Sequence, residues 1–384
     1  MEKCGSPSHD IDEKRIPPEL KDPERNCLVR VSILGAGAIA YATAALLEKA
    51  GHEVWIWSPS GKRTVDLAAG HPLVASGAVT GSYRPSIASS VAEAVVTADV
   101  VIFALPGNGH KLAFDAAVPH IRKGQPIIIS SHLSFGALYL NKWLGARGIQ
   151  APIIALASTI STGRQLSSTA VHVGTIRLKV DMATLPTSAM DQGHALCSRL
   201  FGDRFVKRDG LLAIALSNLN PQSHLGIALL NLTRMEHAEE WSQAGNTTPL
   251  VGRLIEALDV ERLAIAKAFD FEVRTVQEHV SLSYNLPMGS VAEMSQERHR
   301  QGLGVSGPKT VESRYVLEDV PFGLLPTVLL GQLTDNKATL HESGMAILSA
   351  AYGRNFAEEN DLLPELDLER LSAAELQQLT RIGF

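Results

Sequence analysis

Two short segments of this 384-residue chain combine a histidine, carboxylates and a guanidinium, the groups needed for proton transfer on a substrate that carries a carboxylate. In SNLNPQSH (217–224), Pro221 suits the start of a helix and His224 falls within the first turn. The positive end of a helix disfavours an imidazolium and a carboxylate partner favours one, so a histidine held between the two is a candidate general acid/base. In SRYVLEDVP (313–321), Arg314 offers a planar fork that can clamp a carboxylate, while Glu318 and Asp319 are acids able to orient a histidine. The segments lie far apart in sequence, and each residue alone reads equally as a cap, a core group or a surface ion pair. Composition does not pick the pair.

A third segment points to a redox partner. GAGAIA (35–40) matches the G-x-G-x-x-[GA] dinucleotide fingerprint directly after a β-branched run, LVRVSIL (28–34), and directly before a helical stretch. Gly35 permits the tight turn, Gly37 lets backbone approach a pyrophosphate, and Ala40 allows close helix-to-strand packing; Ala38 and Ile39 open the helix whose free amides face the anion. No second flavin signal accompanies the fingerprint, so a nicotinamide cofactor is expected. An NAD-selective site places Asp or Glu at the end of the second strand. Here EVWIW (53–57) is followed by Ser58-Pro-Ser60-Gly-Lys62-Arg63, hydroxyls and cations suited to a 2′-phosphate, and the expectation is NADP(H) over NAD(H).

The elements that must position these groups follow from periodicity. In the helix after the fingerprint, Ile39, Thr43, Leu46, Leu47 and Ala50 recur on one face, and Gly51 supplies a stop. Buried-strand runs recur at EVWIW, DVVIFAL (99–105) and PIIIS (126–130), with a capping box of Ser90 and Glu93 opening the helix between two of them. Further strands around APIIALAS and VHVGTIRLKVDMATL are expected to complete that sheet at its edge. Beyond Asp209 helical periodicity dominates, with Thr248-Pro249 as a start and Ser372 with Glu375 as a terminal capping box. The fold class is therefore an α/β Rossmann domain with a doubly wound, mainly parallel sheet, followed by a mainly α-helical domain. The expected organisation is a flexible leader at 1–27, a dinucleotide domain at 28–205 and a helical catalytic and substrate domain at 206–384. Residues 285–310 show mixed helix and loop signals, as a segment over a site would.

Composition excludes other classes. A net charge of −5 with scattered Lys and Arg gives no basic stripe for nucleic acid. No apolar stretch of bilayer-spanning length is expected, and the first 26 residues are polar where a signal peptide needs an apolar centre, so the expected location is cytoplasmic, with no membrane partner. Cys4, Cys27 and Cys197 form no CxxC pair, and the thirteen histidines form no HExxH, so no metal site is expected. The expected partners are small molecules, and a homodimer is compatible with the composition.

Through GAGAIA, ADVVIFALPGNGH (98–110), NPQSH (220–224) and RYVLEDVPFG (314–323), the chain resembles the octopine/nopaline (opine) dehydrogenase family over nearly everything after residue 28. The resemblance implies that His224 is the proton donor and acceptor, Asp319 its partner and Arg314 the holder of a substrate carboxylate. It places Asn220 with the substrate motif and Pro106 with the cofactor. The implied reaction is reversible reductive condensation: a 2-oxo acid and an amino acid's amine form an imine, which hydride reduces in a CH–NH oxidoreductase reaction. Alternatives are a 2-hydroxy acid or ketopantoate-type ketone reductase and a dinucleotide-binding sensor without turnover. The former uses a lysine early in the second domain, and this chain has none between Lys207 and Lys267.

Overall fold

The structure, a computed structural model, describes residues 28–384; the expected leader and two of the cysteines, Cys4 and Cys27, lie outside the described residues. The strands are β1 (Arg30–Leu34), β2 (Glu53–Trp57), β3 (Leu73–Gly77), β4 (Gly81–Tyr83), β5 (Ser86–Ile87), β6 (Val100–Phe103), β7 (Ile127–Ile129), β8 (Ile153–Leu156), β9 (Ser161–Ser167), β10 (Ala170–Ile176), β11 (Val180–Leu185) and β12 (Phe205–Lys207). Eight form the main sheet in the order β12-β11-β8-β7-β6-β1-β2-β5. It is parallel from β5 through β8, turns antiparallel once at β8/β11, and ends with β12 parallel to β11. The inner strands VVIF, III and IIAL are buried at every residue, because helices or a second layer cover both faces.

The helix after the fingerprint departs from the one-stripe pattern. In Ala38–Lys49 the buried residues are Ala40 through Ala45 and Leu47, while Ile39 and Leu46 are only half-buried. The reason is a second sheet, β4-β3-β10-β9, laid against the far side of this helix. Strands β9 and β10, expected at the edge of the main sheet, belong to this layer instead, and only β8, β11 and β12 extend the main one. Small residues (Ala40, Ala42, Ala44, Ala45) let the helix fit between two sheets. Before the next strand, Ser90 Oγ accepts from Glu93 N as expected, but Glu93 reaches back to Ser89 rather than to Ser90.

The main sheet runs through Lys207, across the boundary expected at 205, and we place the division after β12. Helices then follow: Gly210–Ser217, Asn220–Leu230, Pro249–Ala268, Val276–Tyr284, Val291–Arg300, Leu325–Leu333 and Thr339–Tyr352. The last helix, Ala373–Ile382, returns to pack on Gly210–Ser217 and β11, so the chain ends against the first unit. One buried core joins the two units, with Phe103 and Ile129 of the sheet in the same cluster as Leu212, Phe322 and Leu376. Residues 285–310 resolve into a helix capped by a reciprocal Ser290/Glu293 box and a loop bridged at Ser242 and Ser306. Contrary to the expectation from sequence, one run, Arg314–Leu333, is long and apolar enough to cross a bilayer, with a mean hydropathy of 1.3. It is 67% buried inside the protein, where apolarity serves core packing.

Candidate active site

The fingerprint turn is built on a close approach. Gly35 has φ of 137°, donates its N–H to Trp57 O at 2.8 Å, and a Cβ there would stand 2.3 Å from Ala104 O. A side chain would push the turn off the sheet. Gly37 is the N-cap of Ala38–Lys49 and offers no side chain to that helix end, which leaves the first-turn amides to an anion. A Cβ on Gly37 would meet only Arg63 Nη1, at 3.7 Å, so the Arg63 guanidinium stands directly beside the amides. Tyr41 Oη donates to Arg63 O at 2.6 Å and fixes that backbone. Lys62 and Arg63 are exposed and Ser58 half-buried at the end of β2, with Ala38 and Ile39 half-buried on the turn. A cradle only glycine can form, an uncapped helix end and two adjacent cations fit a phosphorylated dinucleotide. Pro106 lies exposed just beyond β6, in extended backbone.

The helix Asn220–Leu230 has Leu219 as N-cap and Pro221 as its second residue, so His224 is fifth, just past the first turn in which sequence placed it. His224 Nδ1 lies 2.6 Å from Asp319 Oδ2. The carboxylate can only accept, so Nδ1 carries the proton and Nε2 is left for chemistry. Asp319 is 1% exposed and the His224 side chain 13%, which hides the acid and leaves the base reachable. Tyr315 lies face to face on the imidazole, 3.6 Å between ring centres and 8° from parallel, and its Oη donates to Gln243 Oε1 at 2.7 Å. A stack of this kind fixes the plane of the ring while Asp319 fixes its rotation.

Two further contacts hold this geometry. Asp319 is followed by a π-helical turn, Val320–Leu324, which re-aims the chain at the acid. Gln222, two residues before His224, donates to the buried Asp259 at 2.5 Å; Asp259 in turn pairs with buried Arg262 at 2.7 Å and accepts from Val276 N at 2.8 Å. Arg262 also donates to the carbonyls of Leu216 and Arg274. The network ties the start of the His224 helix to three neighbouring segments.

Arg314 is half-exposed, with Nε 3.3 Å from Glu318 Oε2. Glu318 is buried, and its other oxygen accepts from Gly107 N at 3.1 Å, across to the turn after Pro106. Burial pushes its carboxyl above the ordinary range, and the Arg314 guanidinium opposes this. Asn220 is half-buried at the start of the helix, where its N–H donates to Asn218 Oδ1 at 3.1 Å; its side chain makes no hydrogen bond among the described residues. Thus His224, Asp319 and Arg314 gather in one place, and Gly107, the residue after Pro106, is joined to them through Glu318. Sequence reasoning gave Tyr315, Gln222 and Glu318 no role of their own; residue types alone left Glu318 and Asp319 equivalent, and the resemblance singled out Asp319, the acid that meets His224. The motif placed Tyr315 beside Arg314, but its stacking depends on the fold.

A dinucleotide cradle in an α/β unit, joined to a helical unit that presents a His–Asp pair, defines a dinucleotide-dependent oxidoreductase. Residues 207–352 match the family model described as NAD/NADP octopine/nopaline dehydrogenase, alpha-helical domain, and residues 30–131 match NADP oxidoreductase coenzyme F420-dependent. The chain is 30% identical over 354 residues to an opine dehydrogenase of Arthrobacter sp. (strain 1C), a match covering 89% of this chain and 96% of that one. Among solved structures it resembles octopine dehydrogenase in a complex with NADH and L-arginine, with a TM-score of 0.74 and 14% identity over 92% of this chain and 98% of that one. It also resembles yersinopine dehydrogenase with NADP+ bound, with a TM-score of 0.69 and 17% identity over 92% and 99%. The chain belongs to the opine dehydrogenase family and is an opine dehydrogenase-like oxidoreductase that uses a nicotinamide dinucleotide.

Proposed function

We propose that this protein condenses a 2-oxo acid with the amine of an amino acid and reduces the resulting imine to an N-(carboxyalkyl)amino acid, reversibly. The observation that carries the reading is the 2.6 Å contact between His224 Nδ1 and buried Asp319, formed by segments remote in sequence. The reduced nicotinamide supplies the hydride. With Nδ1–H held by Asp319, His224 gives a proton from Nε2, when that nitrogen is protonated too, to the carbinolamine hydroxyl as water leaves, and the neutral Nε2 takes one in the reverse direction. Arg314 holds the oxo-acid carboxylate and so fixes the reacting carbon. Asn220, at the start of the same helix as His224, lines the substrate side. Of the solved octopine dehydrogenase complexes, one contains L-arginine and another pyruvate, an amino acid and a 2-oxo acid.

The cofactor we propose is NADPH in preference to NADH. Support comes from Arg63 beside the fingerprint amides, Lys62 next to it, and Ser58 where an NAD-selective site carries an acid. Gly35, Gly37, Ala38, Ile39 and Pro106 complete the cofactor site, and Ala40, which is fully buried, serves it by close helix-to-strand packing.

Oxidation of NADPH, followed optically with 2-oxo acids and amino acids supplied singly and in pairs, tests the reading. Oxidation is expected only with pairs. Oxidation by an oxo compound alone would replace it with a ketone reductase.

A further inference from the structure

Near the end of the Val291–Arg300 helix is a guanidinium that no acid among the described residues meets. Arg298 is half-buried, with Cζ 3.7 Å from the centre of the Tyr284 ring. Its Nε is buried without a hydrogen-bond partner, and no carboxylate among the described residues forms an ion pair with it. The neighbouring Arg300, by contrast, meets Glu297 at 2.6 Å, so this helix has an acid that Arg298 does not use.

The position of Arg298 relates it to the candidate site. His299, next in sequence, is 3.1 Å from Ser242 Oγ through its Nδ1, and Gln243 beside that serine is the residue that accepts from Tyr315 Oη at 2.7 Å. The end of this helix therefore rests on the loop that steadies the Tyr315 ring, and Tyr315 is stacked on His224. Burial lifts the Tyr315 phenol to about 12, and Arg314 and Arg298 both oppose that rise. Two guanidinium groups thus act on the one tyrosine that lies on the imidazole.

A guanidinium braced on an aromatic face keeps its in-plane N–H groups for a planar anion. Half-buried and unpaired, it is also a charge for which an arriving carboxylate restores lost solvation. The product proposed above carries two carboxylates, and Arg314 is placed to take one. We propose that Arg298, braced by Tyr284, binds the second, the carboxylate of the amine-bearing substrate. This rests on the reading of the site as one for an oxo acid and an amino acid.

The test is calorimetric titration of the NADPH-loaded protein with two ligands, an N-(carboxyalkyl)amino acid and its counterpart lacking the amino-acid carboxylate, on the wild type, Arg298→Ala and Arg298→Lys. The wild type should prefer the dicarboxylate. Arg298→Ala should weaken the dicarboxylate by about 10- to 100-fold, the loss expected for one charge-assisted contact, and leave the monocarboxylate within about twofold. Arg298→Lys should fall between, and unchanged NADPH affinity shows that each variant is folded. A wild type that binds both ligands equally overturns the two-carboxylate site and this assignment with it. A wild-type preference that survives intact in Arg298→Ala overturns the assignment of Arg298 alone.

Discussion

Gly323 lies so close to Pro221 that a Cβ on the glycine would stand 2.3 Å from the proline Cγ. The contact joins the π turn that follows Asp319 to the start of the helix that carries His224, and it accounts for two remote segments meeting as a hydrogen-bonded pair. Gly323→Ala must push them apart. We expect a loss of about 1–3 kcal/mol in stability from overpacking, with a fall in kcat larger than any change in NADPH affinity. Urea unfolding and steady-state kinetics would measure both, and a variant with wild-type stability and kcat would show that this contact does not set the pair.

His224→Ala and Asp319→Asn should each lower kcat by about 10²- to 10⁴-fold, the usual range for a positioned acid/base, with NADPH affinity within about twofold of wild type. Because the two act as a unit, the double variant should be no slower than His224→Ala alone. Full additivity of the two losses would mean they work separately.

Arg63→Ala removes the guanidinium beside Gly37. Affinity for NADPH should drop about tenfold or more, as expected for loss of a charge-assisted contact, while NADH affinity stays nearly constant. Fluorescence titration of both cofactors checks this, and an equal drop for the two would place Arg63 on the shared pyrophosphate instead.

Stability should fall on the acid side of neutrality. His110 and His132 are 0% and 1% exposed, and burial holds their imidazoles down at about 4 and about 3. The unfolded chain protonates such groups near 6.5, so below that pH the unfolded state binds more protons than the folded one. Each group then removes up to about 1.4 kcal/mol of stability per pH unit, from 6.5 down to its own folded value, and contributes nothing above 6.5. Neither ring nitrogen of His132 has a hydrogen-bond partner among the described residues, so His132→Leu breaks no such bond there. Its stability should depend less steeply on pH between 6.5 and 4 than the wild type's, when urea unfolding is compared across that range. Identical slopes would contradict the assignment.

The strand-turn-helix unit from Arg30 to Lys49 was legible because each of its signals is local: a β-branched run, glycines at fixed spacing and a helical stretch. The second sheet was not. Alternation in β9 and β10 reports which faces of a strand are buried, but not which strands it will pair with, and β3 and β4 are too short to show a period. The helical stripe expected after the fingerprint failed for the same reason, since it assumed one packed face where two sheets cover the helix. The Ser290/Glu293 box that opens the Val291–Arg300 helix was present in the sequence but obscured by surrounding glycines. At the site, residue types nominated His224, Arg314 and two acids. Residue types alone did not separate the acids; the motif resemblance pointed to Asp319, which faces the imidazole, while Glu318 faces Arg314 and Gly107, a role that depends on the fold.

The most direct test follows the atoms. The protein would be incubated with a 2-oxo acid, an amino acid and NADPH deuterated at the transferable position, and the products analysed by mass spectrometry. The account predicts a single compound in which both carbon skeletons are joined through nitrogen, one water has been lost, and one deuterium sits on the former carbonyl carbon. A deuterated 2-hydroxy acid with the amino acid left untouched would contradict it.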